Sequence, residues 1–241
     1  MKGIMPLLIS ALIILGCGSH INANIKPIPQ KAFVKIIKNI HVKSCRKNSE
    51  KCKVGVYSSS GSGSIISRDS RFSYILTAAH VCSTNMTLQG MREIKEIQIS
   101  IYVITHKGET HRVEILHSNR PRNPDLCLLT SQVLDINPIK ISRRGPKLGD
   151  KLFCLAAPAG IYHPPAVPIF EGLYSGVMPD GLNIISTIPA VGGSSGAPVL
   201  NYRMELVGVL FATHPKFHQV TISTAFKPTK KFLQKHIHKL K

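Results

Sequence analysis

The chain has 241 residues, 43% of them apolar, which is ample for a buried core and excludes a disordered tail or a coiled coil as the whole molecule. Thirty-one Lys and Arg against twelve Asp and Glu give a formal charge of +19, so the surface is strongly basic. Sixteen Pro, eighteen Gly and few stripes of 3.6-residue period argue against a helix bundle and for short strands joined by turns.

In chain order, Lys2 precedes an apolar run from Ile4 to Gly16 that is interrupted only by Pro6 and Ser10. The run has the proportions of a signal-peptide core and falls short of the roughly 20 residues that a spanning helix needs. Residues 1–23 are therefore expected to be a targeting segment and the protein to be exported. Ile14-Leu15-Gly16-Cys17 resembles a bacterial lipoprotein box, in which Cys17 is lipidated, although that motif more often has Leu three before the cysteine. Cleavage after Ala23 is the competing reading, with Ile21 a poor fit two residues before it, and Cys17 as an ordinary residue of an apolar segment is the third. The corresponding destinations are a periplasmic or membrane-anchored lipoprotein, or a secreted protein.

Residues 24–53 read as a basic lead-in, with nine cations between Ile25 and Lys53 against the single acid Glu50. Ile36-Ile37 and Ile40-His41-Val42 suit one short strand or a helical turn, and Cys45 with Cys52 could close a small disulfide loop in an oxidising compartment, or stay as two thiols. Cys127 and Cys154 lie in apolar runs and read as buried packing residues, whereas Cys82 could pair with a lead-in cysteine. There is no CxxC pair to suggest a zinc ribbon.

From Val54 onward, strand-like runs alternate with turn clusters. Strands are expected near Val54–Tyr57, Gly63–Ser67, Tyr74–Ala78, Glu96–Thr105, Thr110–His117, Leu126–Ser131 and Ile139–Ser142. A second series is expected at Lys151–Ala156, Ile169–Val177, Leu182–Ser186, Ala197–Leu200, Leu206–Phe211 and Val220–Ser223. The break near Arg143–Asp150 divides an all-β domain over 54–241 into two six-stranded antiparallel barrels, at about 54–142 and 150–224. A C-terminal helix over about 228–239, with Leu233, Ile237 and Leu240 at helical spacing, is expected to dock on the second barrel.

Three segments carry chemistry. Tyr74-Ile75-Leu76-Thr77-Ala78-Ala79-His80-Val81 ends a strand in two small residues and a histidine, so the imidazole can sit at a strand-to-turn junction without crowding. Pro124-Asp125-Leu126-Cys127 puts an acid at the mouth of an apolar strand, where a buried carboxylate needs a partner. Gly192-Gly193-Ser194-Ser195-Gly196-Ala197-Pro198 lets the backbone turn sharply, brings N–H groups together and leaves Ser195 open to a substrate. Taken singly, these are an ordinary buried histidine, a turn aspartate and a Gly/Ser loop; their order and context single them out.

Together the three segments resemble the signatures of trypsin-like, chymotrypsin-fold serine proteases, with His80, Asp125 and Ser195 in that family's His-Asp-Ser order. The resemblance is strongest to the bacterial HtrA-type and glutamyl-endopeptidase-type branches. Gly61-Ser62-Gly63-Ser64-Ile65-Ile66, Leu148-Gly149-Asp150, Ala157-Pro158-Ala159-Gly160, Ser175-Gly176-Val177 and Ala225-Phe226-Lys227-Pro228 match their intervening motifs. It implies Ser195 as nucleophile, His80 as general base, Asp125 as the carboxylate that fixes its tautomer, and the N–H groups of Gly193 and Ser195 as the oxyanion hole. It implies no cofactor and no metal, and polypeptides as substrates.

The chain also departs from the pattern. Ser194 stands where animal digestive relatives carry an acid, so no zymogen salt bridge is expected, and Ala197 occupies a position more often Gly or Ser. The primary pocket is expected to be lined by Ala190, Leu210, Phe211, Ala212 and Thr213, with no acid to hold Lys or Arg and with Leu210 where glutamyl endopeptidases have a histidine. His214 keeps a glutamate preference open, but a small or medium apolar residue before the scissile bond is expected. The chain ends at Lys241, so no appended PDZ domain is expected. The basic lead-in and tail suit an anionic membrane or envelope polymer, or are simply a solvated surface; without Trp or an aromatic RNA motif, nucleic acid is disfavoured. The alternative to an exported endopeptidase is a non-catalytic or partner-activated binding protein on the same scaffold that uses its basic surface for an anionic partner.

Overall fold

The computed structural model describes residues 27–45, 52–83, 94–119 and 124–237. Six strands close the first barrel: β1 (Phe33–Cys45), β2 (Cys52–Arg68), β3 (Phe72–Thr77), β4 (Ile94–Ile104), β5 (Thr110–Ser118) and β6 (Cys127–Gln132), paired in the order β1-β2-β3-β6-β5-β4. Six more close the second: β7 (Lys151–Leu155), β8 (Ile169–Val177), β9 (Asn183–Ser186), β10 (Pro198–Leu200), β11 (Leu206–His214) and β12 (Phe217–Thr224), in the order β10-β11-β12-β9-β8-β7. All of these pairings are antiparallel, and closure leaves neither sheet a free edge. This is the expected all-β architecture.

Two differences from the sequence expectation bear on how the first barrel closes. Its sixth strand is not Ile139–Ser142 but β1, which lies within the segment read as a lead-in. Along β1, Val34, Ile36, Lys38, Ile40 and Val42 all point inward and are buried, which is the period of two that a strand requires. Lys38 hides that period: its Nζ escapes the apolar interior by donating to the Ser83 carbonyl at 2.7 Å. Val54–Tyr57 and Gly63–Ser67 are likewise one continuous strand, β2, because β1 pairs with it from Phe33↔Ser64 to Cys45↔Cys52.

Residues 133–150 cross between the barrels without joining a ladder. Ile139 is buried and its N–H donates to the Ile65 carbonyl at 2.9 Å, while Ile141 makes an isolated parallel bridge to Leu206. The barrels share a core: Leu155, Ala157, Leu200, Leu206 and Val209 pack in one cluster with Phe33, Ile65, Leu76 and Leu128. The short helical turn α1 (Ala79–Cys82) follows β3, and α2 (Phe226–His236) ends the described chain. α2 buries Thr229, Phe232 and Leu233 at helical spacing, and it reaches the first barrel as well as the second, since His236 stacks on His117 of β5 with ring centroids 3.7 Å apart.

Candidate active site

β3 and β6 are neighbours, with Thr77 opposite Cys127, so the residues just beyond that end of both strands are brought together. Ala78 is extended at φ −80° and ψ 146°, and the chain then turns into α1, which lifts His80 toward Asp125. Asp125 grips the histidine twice: one carboxylate oxygen accepts the backbone N–H of His80 at 3.0 Å, and the other lies 2.7 Å from Nδ1. A carboxylate accepts and does not donate, so Nδ1 carries the hydrogen and the neutral ring keeps Nε2 as its acceptor. Asp125 is the more sheltered partner, with 19% of its side chain exposed against 46% for His80.

A disulfide joins Cys82 to Cys127, each two residues beyond a member of this pair. It corrects the expectation that Cys127 is a packing thiol and that Cys82 pairs with the lead-in. The β3–β6 register is what makes it, by setting α1 against the start of β6. Cys52 is also disulfide-bonded and lies opposite Cys45 in the β1–β2 ladder. Among the described residues the free cysteine is Cys154, which is buried, its thiol pushed up to about 12 by loss of solvent. Cys17, the candidate lipidation site, lies outside the described residues.

Ser195 comes from the second barrel, on a turn that only glycines permit. Gly193 and Gly196 have φ of +92° and +89°. A side chain on Gly196 would run into the Ser62 carbonyl and Thr77 Oγ1. The turn is pinned by the N–H of Ser194 to the Val191 carbonyl (3.0 Å), of Gly196 to Leu210 (2.7 Å) and of Ala197 to Ser194 (3.0 Å). Ala197 is wholly buried, so its methyl is accommodated. The amides of Gly193 and Ser195 have no acceptor among the described residues, and Ser195 Oγ donates over a long 3.4 Å to the Phe211 carbonyl. Gly61 of β2 is the point where the barrels meet at the site: a Cβ there would lie 2.9 Å from the side chain of Val81 and 3.2 Å from the Ser195 carbonyl. Gly61 thus lies between Val81, the residue after His80, and the backbone of Ser195.

The residues expected to line the pocket lie beside the serine turn. Ala190 and Leu210 are buried, the Ala190 N–H donating to the His218 carbonyl at 2.9 Å, while Phe211, Ala212 and Thr213 are half-buried along β11. His214 is exposed, and its Nδ1 accepts the Lys216 N–H at 3.3 Å in the β11–β12 turn. Ser194 is buried with no partner for its hydroxyl among the described residues. Ser62, legible in the sequence only as part of the Gly61–Ile66 motif, bonds the serine turn through the Gly193 carbonyl, and Lys35, which carries no sequence signal, bonds the Gly160 carbonyl of the neighbouring turn.

Two closed six-stranded antiparallel barrels followed by a C-terminal helix define a chymotrypsin-like fold. The chain belongs to the trypsin-like peptidase domain family, whose model matches residues 61–209. No curated protein sequence matches it significantly. Among solved structures, the serine endoprotease from Yersinia pestis aligns with a TM-score of 0.61 at 19% identity, covering 87% of this chain and 64% of that one, so this chain spans less than two thirds of that protein's length. The active form of the Rv3671c protease from M. tuberculosis aligns with a TM-score of 0.60 at 16% identity, covering 87% and 82%. The HtrA-type protease AlgW, as a variant with a decapeptide, aligns with a TM-score of 0.64 at 18% identity, covering 86% and 65%. At such identities the likeness is one of fold.

Proposed function

We propose that this protein is an exported serine endopeptidase that cuts polypeptides through an acyl-enzyme. The observation that carries the reading is the two-point grip of Asp125 on His80, which leaves Nε2 as the ring's acceptor; the Gly193 and Ser195 amides, without an acceptor among the described residues, support it. Ser195 Oγ leaves its long bond to Phe211 by rotation about χ1, gives its proton to His80 Nε2 and attacks the substrate carbonyl; loose serine–histidine geometry is common in unliganded sites. The negative oxygen that develops is held by the N–H groups of Gly193 and Ser195. Protonated His80 hands its proton to the departing amine, and water repeats the sequence in reverse to free the acid and Ser195. Asp125 stays ionised, holding the tautomer and stabilising the imidazolium.

A small or medium apolar residue before the scissile bond fits walls built from Ala190, Leu210 and Ala212 with no acid among residues 188–191 and 210–213. Export is supported by the run Ile4–Gly16 behind Lys2. The test of the whole reading is labelling of the purified protein by a fluorophosphonate probe. Stoichiometric labelling, lost in both His80→Ala and Ser195→Ala, is expected; a folded, monodisperse sample that takes no label overturns it.

A further inference from the structure

Ser62, in the Gly61-Ser62-Gly63 segment of β2, has a fully buried hydroxyl that is satisfied twice, both times by the second barrel. Its Oγ accepts the Ala157 N–H at 2.9 Å and donates to the Gly193 carbonyl at 2.9 Å. Its backbone N–H donates to the Ser195 carbonyl at 2.8 Å, and its carbonyl accepts Thr77 Oγ1 at 2.8 Å. One residue of the first barrel therefore holds both the serine turn and the start of the neighbouring turn, Pro158–Gly160.

That neighbouring turn in turn holds Gly192. The Ala159 N–H donates to the Gly192 carbonyl at 2.6 Å, and a side chain on Gly193 would collide with Ala157, Ala159 and Gly160 backbone atoms. Ala159 sits at φ +51°, a left-handed conformation unfavourable for a residue with a side chain, so the turn needs support from outside itself. Lys35 of β1 supplies it, donating from Nζ to the Gly160 carbonyl at 2.7 Å. In a trans peptide the carbonyl and the next N–H lie on opposite edges. Anchoring the Gly192 carbonyl to Ala159 therefore turns the Gly193 N–H away from the turn, and that N–H has no acceptor among the described residues. Two successive glycines would rotate freely without the anchor.

We propose that Ser62 and Lys35 are positioning residues: across the barrel interface they fix the Pro158–Gly160 turn, and through it the Gly192–Gly193 peptide, so that the Gly193 N–H is presented to the substrate oxygen. The inference rests on the endopeptidase reading above. Neither residue touches substrate, so their loss should lower the rate of attack on Ser195-directed reagents without altering the proton acceptor.

The test measures the second-order rate of fluorophosphonate labelling against pH for the wild type, Ser62→Ala, Lys35→Met and Lys35→Arg, with labelling stoichiometry and circular dichroism alongside. Loss of one oxyanion donor costs about 10²–10³ in rate, so a misoriented donor should cost about tenfold to a hundredfold. The expected result is a plateau rate reduced by that factor in Ser62→Ala and Lys35→Met, with full final stoichiometry, an unshifted pH midpoint and partial recovery in Lys35→Arg. A merely structural role would lower the stoichiometry or the folded fraction and leave the plateau rate per folded molecule unchanged, which overturns the inference. If Ser62→Ala does not fold, the half-buried Lys35 variants decide alone. Absence of labelling in the wild type would instead overturn the endopeptidase reading, and this inference with it.

Discussion

Asp125 meets His80 through two different atoms, and each bond does a separate task. The bond to the backbone N–H fixes where the histidine sits; the bond to Nδ1 fixes which ring nitrogen carries hydrogen. Asp125→Asn keeps the volume, but its amide can donate to Nδ1 and force the hydrogen onto Nε2, so the labelling rate should fall by about 10⁴ while the fold is retained. That ratio is read from labelling kinetics at pH 7 beside an unchanged circular dichroism spectrum. At this scale much was legible: His80 and Ser195 stand in segments whose small residues or glycines announce a backbone under special demand, and Asp125 is an acid at the mouth of an apolar strand. Ser62 and Lys35 were not, because a serine in a strand and a lysine in a basic segment look the same whether they face water or a carbonyl of the opposite barrel.

The Cys82–Cys127 bridge ties α1 to the first residue of β6 across a 45-residue separation. In the chain-entropy account, closing a loop of that length stabilises by about 4 kcal/mol. The double variant Cys82→Ala, Cys127→Ala should therefore lose about 2–4 kcal/mol in a denaturant titration, and lose labelling at lower denaturant than the parent, since the bridge holds His80 and Asp125 in register. Helix α2 offers a second test. Burial first, then the His117 ring and Lys235, hold His236 below the usual histidine value of 6.5; Phe232 closes the aromatic cluster. As pH falls below 6.5 the unfolded chain takes up a proton that the folded chain resists, so the stability present above that pH declines on acidification until folded His236 itself protonates. His106, also lowered by burial and by Lys31 and Lys107, acts in the same direction. The urea midpoint should therefore drop between pH 7 and pH 5, and His236→Gln should flatten part of that slope. The helix itself was readable from its apolar spacing, but its contact with β5 was not, because His117 and His236 are 119 residues apart and carry no apolar signal.

Across the whole molecule, Asp125 and His80 belong to one barrel and Ser195 to the other, so the proposed site requires the barrels to stay packed. Leu206 lies at that junction: fully buried, its N–H donates to the Lys140 carbonyl at 2.8 Å and its carbonyl accepts the Ser142 N–H at 3.0 Å. Leu206→Ala should cost about 2–5 kcal/mol through lost burial and the cavity left behind. If the shared core couples fold and site, unfolding followed by circular dichroism and by loss of labelling should shift together in that variant; separate transitions would show that the barrels hold the site independently.

The sequence by itself determined the class of fold and the break between two barrels, and it singled out His80, Asp125 and Ser195 as the candidate catalytic residues. The fold class follows from local physics, short alternating runs between turn clusters, while the three residues were picked out by their order and by the resemblance of their segments to a known family. The tertiary structure alone decided that β1 closes the first barrel in place of Ile139–Ser142, that Cys82 bonds to Cys127, and that Ser62 reaches across to the serine turn and Lys35 to the neighbouring Pro158–Gly160 turn. Each of these joins residues far apart in the chain, and strand register, which no single segment specifies, is what brings them into contact.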